Sequence, residues 1–384
     1  MRFSIEPLKK YALSLAMASM TMPSFIPEVL ACAYCQPAEK ALKANNYGRM
    51  QALVNQASRA GAMCVKMRAI KAKSLHLQNK NYAALDEINR ALKSNPDDAG
   101  FWMTRAEIHD SLKNPKAVLE DATNAIKIDS KLSRAYLLRA RAYYTLTFFM
   151  LAKDPTYREK GLRDLGTAIQ LNPRDPDGYQ YKGVWLMANK HYDEAARVLS
   201  KGLSFSPHND KLLMYRAMSL SESGQIEQAI KDFSQLIELD RKQPASWKKR
   251  GNLYAQQNRF EEAYADYNMA AELAPKDYRL KYRRAEVAVK LKKYPRAISD
   301  YKEIIARNPL DDDAVKKLGD VYMISGNLVE AIKAYSEAIE LSPEISSYYL
   351  ARSAAYLKSG KPALSKKDRD KARRIKNQPA VRKI

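Results

Sequence analysis

Cysteine, histidine and glycine are scarce in this sequence. Its 384 residues include 3 Cys, 4 His, 13 Gly and 17 Pro. So little Gly and Pro argues against a β-rich or disordered chain, and no run approaches the ~20 apolar residues that would span a bilayer. The histidines are His76, His109, His191 and His208, and none has metal-ligand spacing to another. We therefore expect no metal site.

Sequence patterns of catalysis are also missing. There is no Gly-rich phosphate loop, no grouping of Ser, His and Asp, and no His-x-x-Glu-His. We expect a chain that is not an enzyme and that carries no cofactor. The alternative is a subunit whose catalytic domain lies on another chain.

Positive charge is in excess. Lys and Arg number 66 against 43 Asp and Glu, which gives a formal net charge of +23. This balance bears on partners and says nothing about the fold. An acidic peptide, a nucleic acid or an anionic membrane surface could each be the partner, and a cationic surface kept for solubility is the remaining alternative.

A 34-residue period runs along most of the chain. Consecutive members of the series Pro173, Pro207, Pro275, Pro309 and Pro343 are separated by one such period or by two. With proline at position 32, residues 65–377 divide into about nine units, and a nine-residue insertion near 148–160 interrupts the third. The units begin at Val65, Ala99, Ser133, Pro176, Asp210, Pro244, Tyr278, Asp312 and Ser346.

Each unit has the same pattern of residue sizes. Position 8 is small, positions 4 and 24 are large and apolar, and position 15 is usually a turn residue. This pattern predicts two helices, A and B, that pack closely where the small residue lies. Proline at position 32 ends helix B. One such hairpin cannot bury its apolar face alone, so neighbouring units must stack.

The repeated signature resembles the tetratricopeptide repeat (TPR) family over roughly residues 65–379. The resemblance implies an all-α, right-handed superhelical solenoid of helical hairpins that binds other proteins. Sel1-like and pentatricopeptide repeats are the alternatives, but their periods differ from the one found here. The last helix, from Pro362 to Asn377, is highly charged and is interpreted as the polar cap of the stack. A basic tail follows at 378–384.

The amino terminus differs from the repeats. Residues 1–33 place basic residues before an apolar stretch at 11–20 and end on the small-x-small triplet at 31–33, which predicts a secretory signal peptide. We expect an exported protein whose mature chain begins near Tyr34 and has no transmembrane helix. A cytoplasmic chain is the alternative, and the residues before Cys32 leave a lipoprotein open.

Residues 34–64 are predicted to form an amino-terminal helical hairpin or a degenerate repeat. Cleavage after Ala33 would remove Cys32 and leave Cys35 and Cys64, which flank this hairpin. We expect these two to form a disulfide in an oxidising compartment. A redox Cys-x-x-Cys motif and half of a zinc site are the alternatives.

The family resemblance also implies a binding surface. In TPR arrays, positions 2, 5, 6, 9, 12 and 13 of helix A line the inner wall. We expect this surface to bind a protein or peptide with acidic segments. The candidate partner-binding residues are Lys248, Asn252, Arg279, Tyr282, Arg283, Lys316 and Lys317.

Some TPR co-chaperones hold a terminal carboxylate with Lys at position 5 and Asn at position 9 of one unit, completed by the next two units. Lys248 and Asn252 match the first pair, and Lys317 matches the last position. Arg283 stands where the family has Asn, and Asp313 where it has Lys, so the match is partial.

The leading hypothesis is a non-catalytic protein-interaction scaffold. A nucleic-acid-associated basic TPR protein and a chaperone-like adaptor are the alternatives, with nucleic acid the weaker prediction because no nucleic-acid-binding module occurs. The apolar residues near the insertion, including Phe148 and Phe149, either project to dock a partner or fold back onto their own hairpin.

Overall fold

The computed structural model describes the backbone of residues 26–61, 63–150 and 154–377, and the side chains from residue 34 onward. Those residues form twenty α-helices and no strand. The first ten helices are α1 (Ile26–Lys43), α2 (Tyr47–Arg59), α3 (Val65–Leu77), α4 (Asn81–Ser94), α5 (Ala99–Ser111), α6 (Pro115–Ile128), α7 (Ser133–Phe148), α8 (Thr156–Leu171), α9 (Pro176–Ala188) and α10 (Tyr192–Phe205). The others are α11 (Asp210–Glu222), α12 (Ile226–Leu239), α13 (Pro244–Gln256), α14 (Phe260–Leu273), α15 (Tyr278–Lys290), α16 (Tyr294–Arg307), α17 (Asp312–Ile324), α18 (Leu328–Leu341), α19 (Ser346–Lys358) and α20 (Pro362–Asn377).

The chain divides into two compact units, Met1–Pro207 and His208–Ile384. Within each unit the helices form hairpins, and neighbouring hairpins stack through contacts between successive helices. The odd-numbered helices from α3 to α19 begin at the residues that open the nine 34-residue units. The predicted all-α fold of stacked hairpins is confirmed.

Position 15, two residues after the end of helix A, adopts a left-handed backbone conformation. Asn258 has φ 58° and Gly326 has φ 86°, and the same region is occupied in six other units. The N–H of the next residue then donates to a carbonyl in the last helical turn, as Arg259 does to Tyr254 at 2.8 Å. This C-cap stops helix A and lets helix B start within three residues. The other position-15 residues are Asn79, Lys113, Lys190, Gly224, Lys292 and Gly360.

Packing inside a hairpin explains the small residue at position 8. Gly319 of α17 faces the Tyr335 ring at position 24, and a Cβ at Gly319 would lie 2.7 Å from that ring. Gly183 faces Leu199 in the same way, with the same distance. A large side chain at position 24 therefore fills the space that a small residue at position 8 leaves.

The insertion lengthens both helices of the third unit. Helix α7 has 16 residues where the other A helices have 13, and α8 also has 16. Phe148 folds back, with its ring 4.8 Å from Tyr144 and 6.1 Å from Trp185 between centroids. Phe149, by contrast, is 74% exposed. Phe148 therefore folds back, and Phe149 is an exposed residue of this segment, with its ring 5.9 Å from that of Tyr144.

Helices α1 and α2 form a hairpin that packs on α3. Its core joins Ala38 of α1, Met50 and Val54 of α2, and Met67 of α3. The predicted cleavage point after residue 33 falls within α1, whereas residues 1–25 of the predicted signal peptide and the tail at 378–384 lie outside the described residues. Among the helices that are described, none is long and apolar enough to cross a membrane.

Candidate functional site

Helices α13 and α15 bring five of the predicted partner-binding residues together. Lys248 and Asn252 are four residues apart and share one face of α13, while Arg279, Tyr282 and Arg283 project from α15. All five line a single open cleft of about 470 Å³. Lys249 and Tyr278 complete its lining. We call these seven residues the cationic cleft.

The cationic cleft contains four positive charges and no carboxylate among its lining residues. Arg279 is 76% exposed and lies 3.2 Å from Asp277, and Arg283 is 62% exposed and lies 3.2 Å from Glu286. Exposed ion pairs of this kind contribute about 0–1 kcal/mol, so both guanidinium groups can exchange partners at little cost. Lys249, at position 6, was expected to line the same surface but was not among the candidate partner-binding residues, and Tyr278 was not predicted.

Asn252 is held in place by the core beneath it. The buried Tyr267 hydroxyl donates to Asn252 Oδ1 at 2.8 Å. Burial raises the pKa of Tyr267 to about 12, so the hydroxyl keeps its proton and remains a donor. This bond occupies the oxygen of the amide and leaves its N–H groups to donate to an anion.

Lys316 and Lys317 do not join the cationic cleft. Lys316 Nζ lies 2.7 Å from Asp320, and Lys317 Nζ lies 2.9 Å from Glu286. The Tyr282 hydroxyl donates to Asp313, the residue that stands where the co-chaperone pattern has Lys. The surface expected to be mainly cationic is therefore neutralised by its own carboxylates from α15 to α17, and it keeps an excess of positive charge between α13 and α15.

Sequence reasoning missed a second set of arginines, which are 3–24% exposed and each bind a buried Asp. Arg284 Nε and Nη2 donate to the two carboxylate oxygens of Asp300 at 2.9 and 2.8 Å, with side chains 3% and 0% exposed. We call such a bidentate pair, between Arg at position 7 and Asp at position 23, a clasp. The other clasps are Arg105–Asp121, Arg139–Asp164, Arg216–Asp232, Arg250–Asp266 and Arg352–Asp368.

Each clasp arginine joins helix A to helix B of its own hairpin, and several also reach the preceding hairpin. Arg284 Nη1 donates to Asn268 at 2.7 Å, and Arg250 Nη1 donates to Ser234 at 2.9 Å. The hydrogen bonds to Asp266 raise the pKa of Arg250, which keeps that guanidinium charged. The clasps could have been predicted from the sequence, because Arg and Asp recur 16 residues apart in most of the units.

The predicted disulfide residues are also brought together. Cys35 lies in α1 and Cys64 immediately precedes α3, and their sulfur atoms are 3.1 Å apart. In the part of the chain that the structure describes, no three His, Cys, Asp or Glu side chains form a group that could hold a metal ion.

Family models of the tetratricopeptide repeat match residues 186–253, 244–277 and 282–344. The chain is 37% identical to Hsp70-Hsp90 organizing protein 2 of Arabidopsis thaliana over 101 residues, 26% of this chain and 16% of the relative. It is 27% identical to human tetratricopeptide repeat protein 6 over 155 residues, 40% of this chain and 28% of the relative. The chain thus spans less than a third of the length of these curated relatives.

Among solved structures, a tetratricopeptide repeat protein from Parabacteroides merdae is 15% identical, with a TM-score of 0.46 over 67% of this chain and 98% of that one. The model that matches residues 244–277 covers the sixth unit from its first residue to its last. The resemblance to the tetratricopeptide repeat family is confirmed over residues 186–277 and 282–344.

Proposed function

We propose that this protein is a non-catalytic scaffold whose cationic cleft binds an extended acidic or carboxylate-bearing segment of a partner protein. The observation that carries the proposal is the lining of the cleft, which has four cations, one amide and no carboxylate. TPR proteins mediate protein–protein interactions. The four cations of the cleft are the reason for proposing that the bound segment of the partner is acidic.

The cleft residues suit a carboxylate in particular. The forked guanidinium groups of Arg279 and Arg283 can each grip a carboxylate through two parallel hydrogen bonds, which a lysine cannot do. Asn252 can add an amide donor beside them. Each well-formed charged contact in a partly desolvated cleft is worth ~1.5–3 kcal/mol. Arg283 must leave Glu286 to bind, but that pair is exposed and weak.

The test uses a fluorescent peptide of alternating Gly and Asp with a free carboxyl terminus, titrated with the full-length protein at physiological salt. We expect the double variant Arg279→Ala/Arg283→Ala to bind it at least tenfold more weakly, which corresponds to about 1.4 kcal/mol. The control is Lys302→Ala/Lys333→Ala, which removes the same charge from exposed positions of α16 and α18. The control should bind like the unaltered protein.

Equal loss in the two double variants would mean that net charge alone attracts the peptide, and the cleft would not be the site. No loss in either would overturn the proposal altogether. Amidation of the peptide's carboxyl terminus then separates two modes of binding. A further loss on amidation indicates capture of the terminal carboxylate, and an unchanged affinity indicates binding of the Asp side chains.

A second candidate function, nucleic-acid binding, is favoured by α20. Seven Lys and Arg side chains are exposed along this one helix without an ion-pair partner among the described residues, against two Asp. Binding of RNA whose affinity falls steeply with salt, and which survives loss of Arg279 and Arg283, would support this candidate. The residues are Lys366, Lys367, Arg369, Lys371, Arg373, Arg374 and Lys376.

The names of the relatives add one form that the scaffold could take. The Arabidopsis thaliana relative is named as an organiser of Hsp70 and Hsp90, and a chaperone-like adaptor is a scaffold that holds two partners at once.

We also propose that the mature chain is exported. The residue pattern at 1–33 supports this proposal.

A further inference from the structure

We propose that Cys35 and Cys64 form a reversible disulfide that ties the α1–α2 hairpin to α3. The two sulfur atoms lie 3.1 Å apart, inside van der Waals contact distance and about 1 Å longer than a disulfide bond. The residues are 29 positions apart, so the fold and not the local sequence brings them together. Closing the bond requires the two sulfur atoms to approach by about 1 Å.

The surroundings of the pair keep both sulfurs in place. Cys35 is 4% exposed and belongs to the core that joins α1, α2 and α3, together with Ala38 and Met67. Cys64 is the N-cap of α3, and its Sγ accepts the Met67 N–H at 3.4 Å. Cys64 is the more exposed of the two, so it is the sulfur that an outside thiol or disulfide can reach.

The cross-link would add a covalent bond between two segments that otherwise meet by packing and by hydrogen bonds from Ser74 and Gln78 to Gln51. The core shared by α1, α2 and α3 consists of small and flexible side chains, chiefly Ala and Met. A bond from Cys35 to Cys64 closes a loop that contains the whole of α2. It therefore restrains the hairpin from separating from the first repeat, mainly by limiting the freedom of the opened chain.

The chemistry balances with a disulfide oxidant such as oxidised glutathione or an oxidised dithiol–disulfide oxidoreductase. The Cys64 thiolate attacks the oxidant's disulfide, forms a mixed disulfide and releases one thiolate. The Cys35 thiolate then attacks the Cys64 sulfur and releases the second. The two cysteines release two protons to solvent and transfer two electrons to the oxidant. The disulfide of the oxidant is thereby reduced to two thiolates.

The outcome depends on the compartment. An oxidising compartment closes the bond, and a thiol-rich one keeps both groups reduced, so the attachment of the α1–α2 hairpin reports the redox state around the protein. This inference concerns the first compact unit alone and does not depend on peptide binding by the cationic cleft.

The test begins with the full-length chain incubated in oxidised glutathione, blocked with iodoacetamide and analysed by intact mass and peptide mapping. We expect a Cys35–Cys64 cross-linked peptide, with Cys32, where the chain retains it, alkylated. Hydrogen exchange should then show the amides of α1 and α2 opening roughly a hundredfold more slowly in the oxidised protein than in the reduced protein.

Matched variants keep the test independent of folding. Oxidation should slow exchange in Cys32→Ser as it does in the unaltered chain, and should have no effect in Cys35→Ser or Cys64→Ser. A cross-link between Cys32 and Cys35, complete alkylation of Cys35 and Cys64 after oxidation, or equal exchange rates in the oxidised and reduced chain would each overturn the proposal.

Discussion

Arg283 and Arg284 are neighbours in sequence and opposites in environment. Arg283 is 62% exposed and makes one loose contact, 3.2 Å from Glu286. Arg284 is 3% exposed and holds both oxygens of the fully buried Asp300. One helical step of about 100° separates an arginine of the proposed binding surface from an arginine of the core.

The comparison teaches that the role of a charge here follows from its position in the repeat. Position 6 lies on the exposed face of helix A, as at Lys249 and Arg283, where a partner can reach the side chain. Position 7 faces helix B, as at Arg250 and Arg284, where a carboxylate at position 23 completes the clasp. The high content of basic residues thus combines two populations with different functions.

The largest expected effect comes from breaking a clasp. Arg284→Ala leaves Asp300 as a buried carboxylate whose remaining cation, Arg296, lies 3.4 Å away and is partly exposed. We expect a loss of about 3–5 kcal/mol in the free energy of unfolding, because removal of one partner of a buried ion pair leaves an uncompensated charge. Urea unfolding at pH 7, followed by circular dichroism, measures it.

The control for that prediction is the adjacent Arg283→Ala, which should change the free energy of unfolding by less than about 0.5 kcal/mol. Equal losses from the two variants would contradict the division between exposed and clasp arginines. Peptide binding should show the reverse order, with Arg283→Ala the more harmful of the two in molecules that remain folded.

A smaller effect is expected where the clasp has a different chemistry. In the first repeat, Lys71 occupies position 7 and Glu87 position 23, and Arg68 also contacts Glu87 at 3.1 Å. Burial alone would raise the pKa of Glu87, but the hydrogen bonds and charges of Lys71 and Arg68 outweigh it and lower the pKa below its ordinary 4.5. Folding therefore favours the ionised form of Glu87.

A lowered pKa in the folded state means that the contribution of Glu87 is fully present above pH 4.5 and is lost as the pH falls below that value. We expect Glu87→Gln to cost about 1 kcal/mol at pH 7 and much less at pH 3. Urea unfolding of both proteins at the two pH values measures the difference. Glu340→Gln, at an exposed position without an ion-pair partner among the described residues, should show no such change. A cost that stays constant with pH would contradict the assignment.

The sequence predicted the fold because the TPR signal is repeated in register. Small residues at Ala72 or Gly319 have no meaning alone, but their recurrence at the same position of successive units indicates a crossing between helices. The cleft residues at positions 2, 5, 6 and 9 of helix A could be named from the sequence, and Tyr278, at position 1, could not. The neutralisation of Lys317 by Glu286 could not be predicted either, because it depends on which of several nearby side chains meet across two hairpins.

The clasps were missed for a different reason. An Arg at position 7 and an Asp at position 23 were counted with the other charges of the chain, and burial of a charge is the exception in proteins. The Cys35–Cys64 pairing could be predicted from the sequence in part. The even number of cysteines left after cleavage suggested it, and only the packing of α1 on α3 brings the two sulfurs together.

The smallest expected effect comes from removing a whole clasp. The repeat of α17 and α18 has no clasp, since Leu318 and Ala334 occupy positions 7 and 23 and are both buried. The clasp arginine Arg284 donates to Asn268, which is at position 25 of the preceding hairpin. In the hairpin that precedes α17, position 25 is Lys302, which offers no hydrogen-bond acceptor. This chain therefore already contains an apolar solution to the same packing problem.

The double variant Arg284→Leu/Asp300→Ala places the same two apolar residues at positions 7 and 23 of the hairpin formed by α15 and α16. We expect its free energy of unfolding to lie within about 1 kcal/mol of the unaltered protein, because apolar replacement of both partners removes the desolvation cost together with the attraction. The partly exposed Asn268 regains water in exchange for its lost bond. In a double-mutant cycle with Arg284→Ala and Asp300→Ala, we expect a coupling of about 2 kcal/mol or more. If the double variant is as unstable as Arg284→Ala, the clasp stabilises the fold beyond balancing its own burial, and the apolar repeat of α17 and α18 must depend on neighbours that the other hairpins lack.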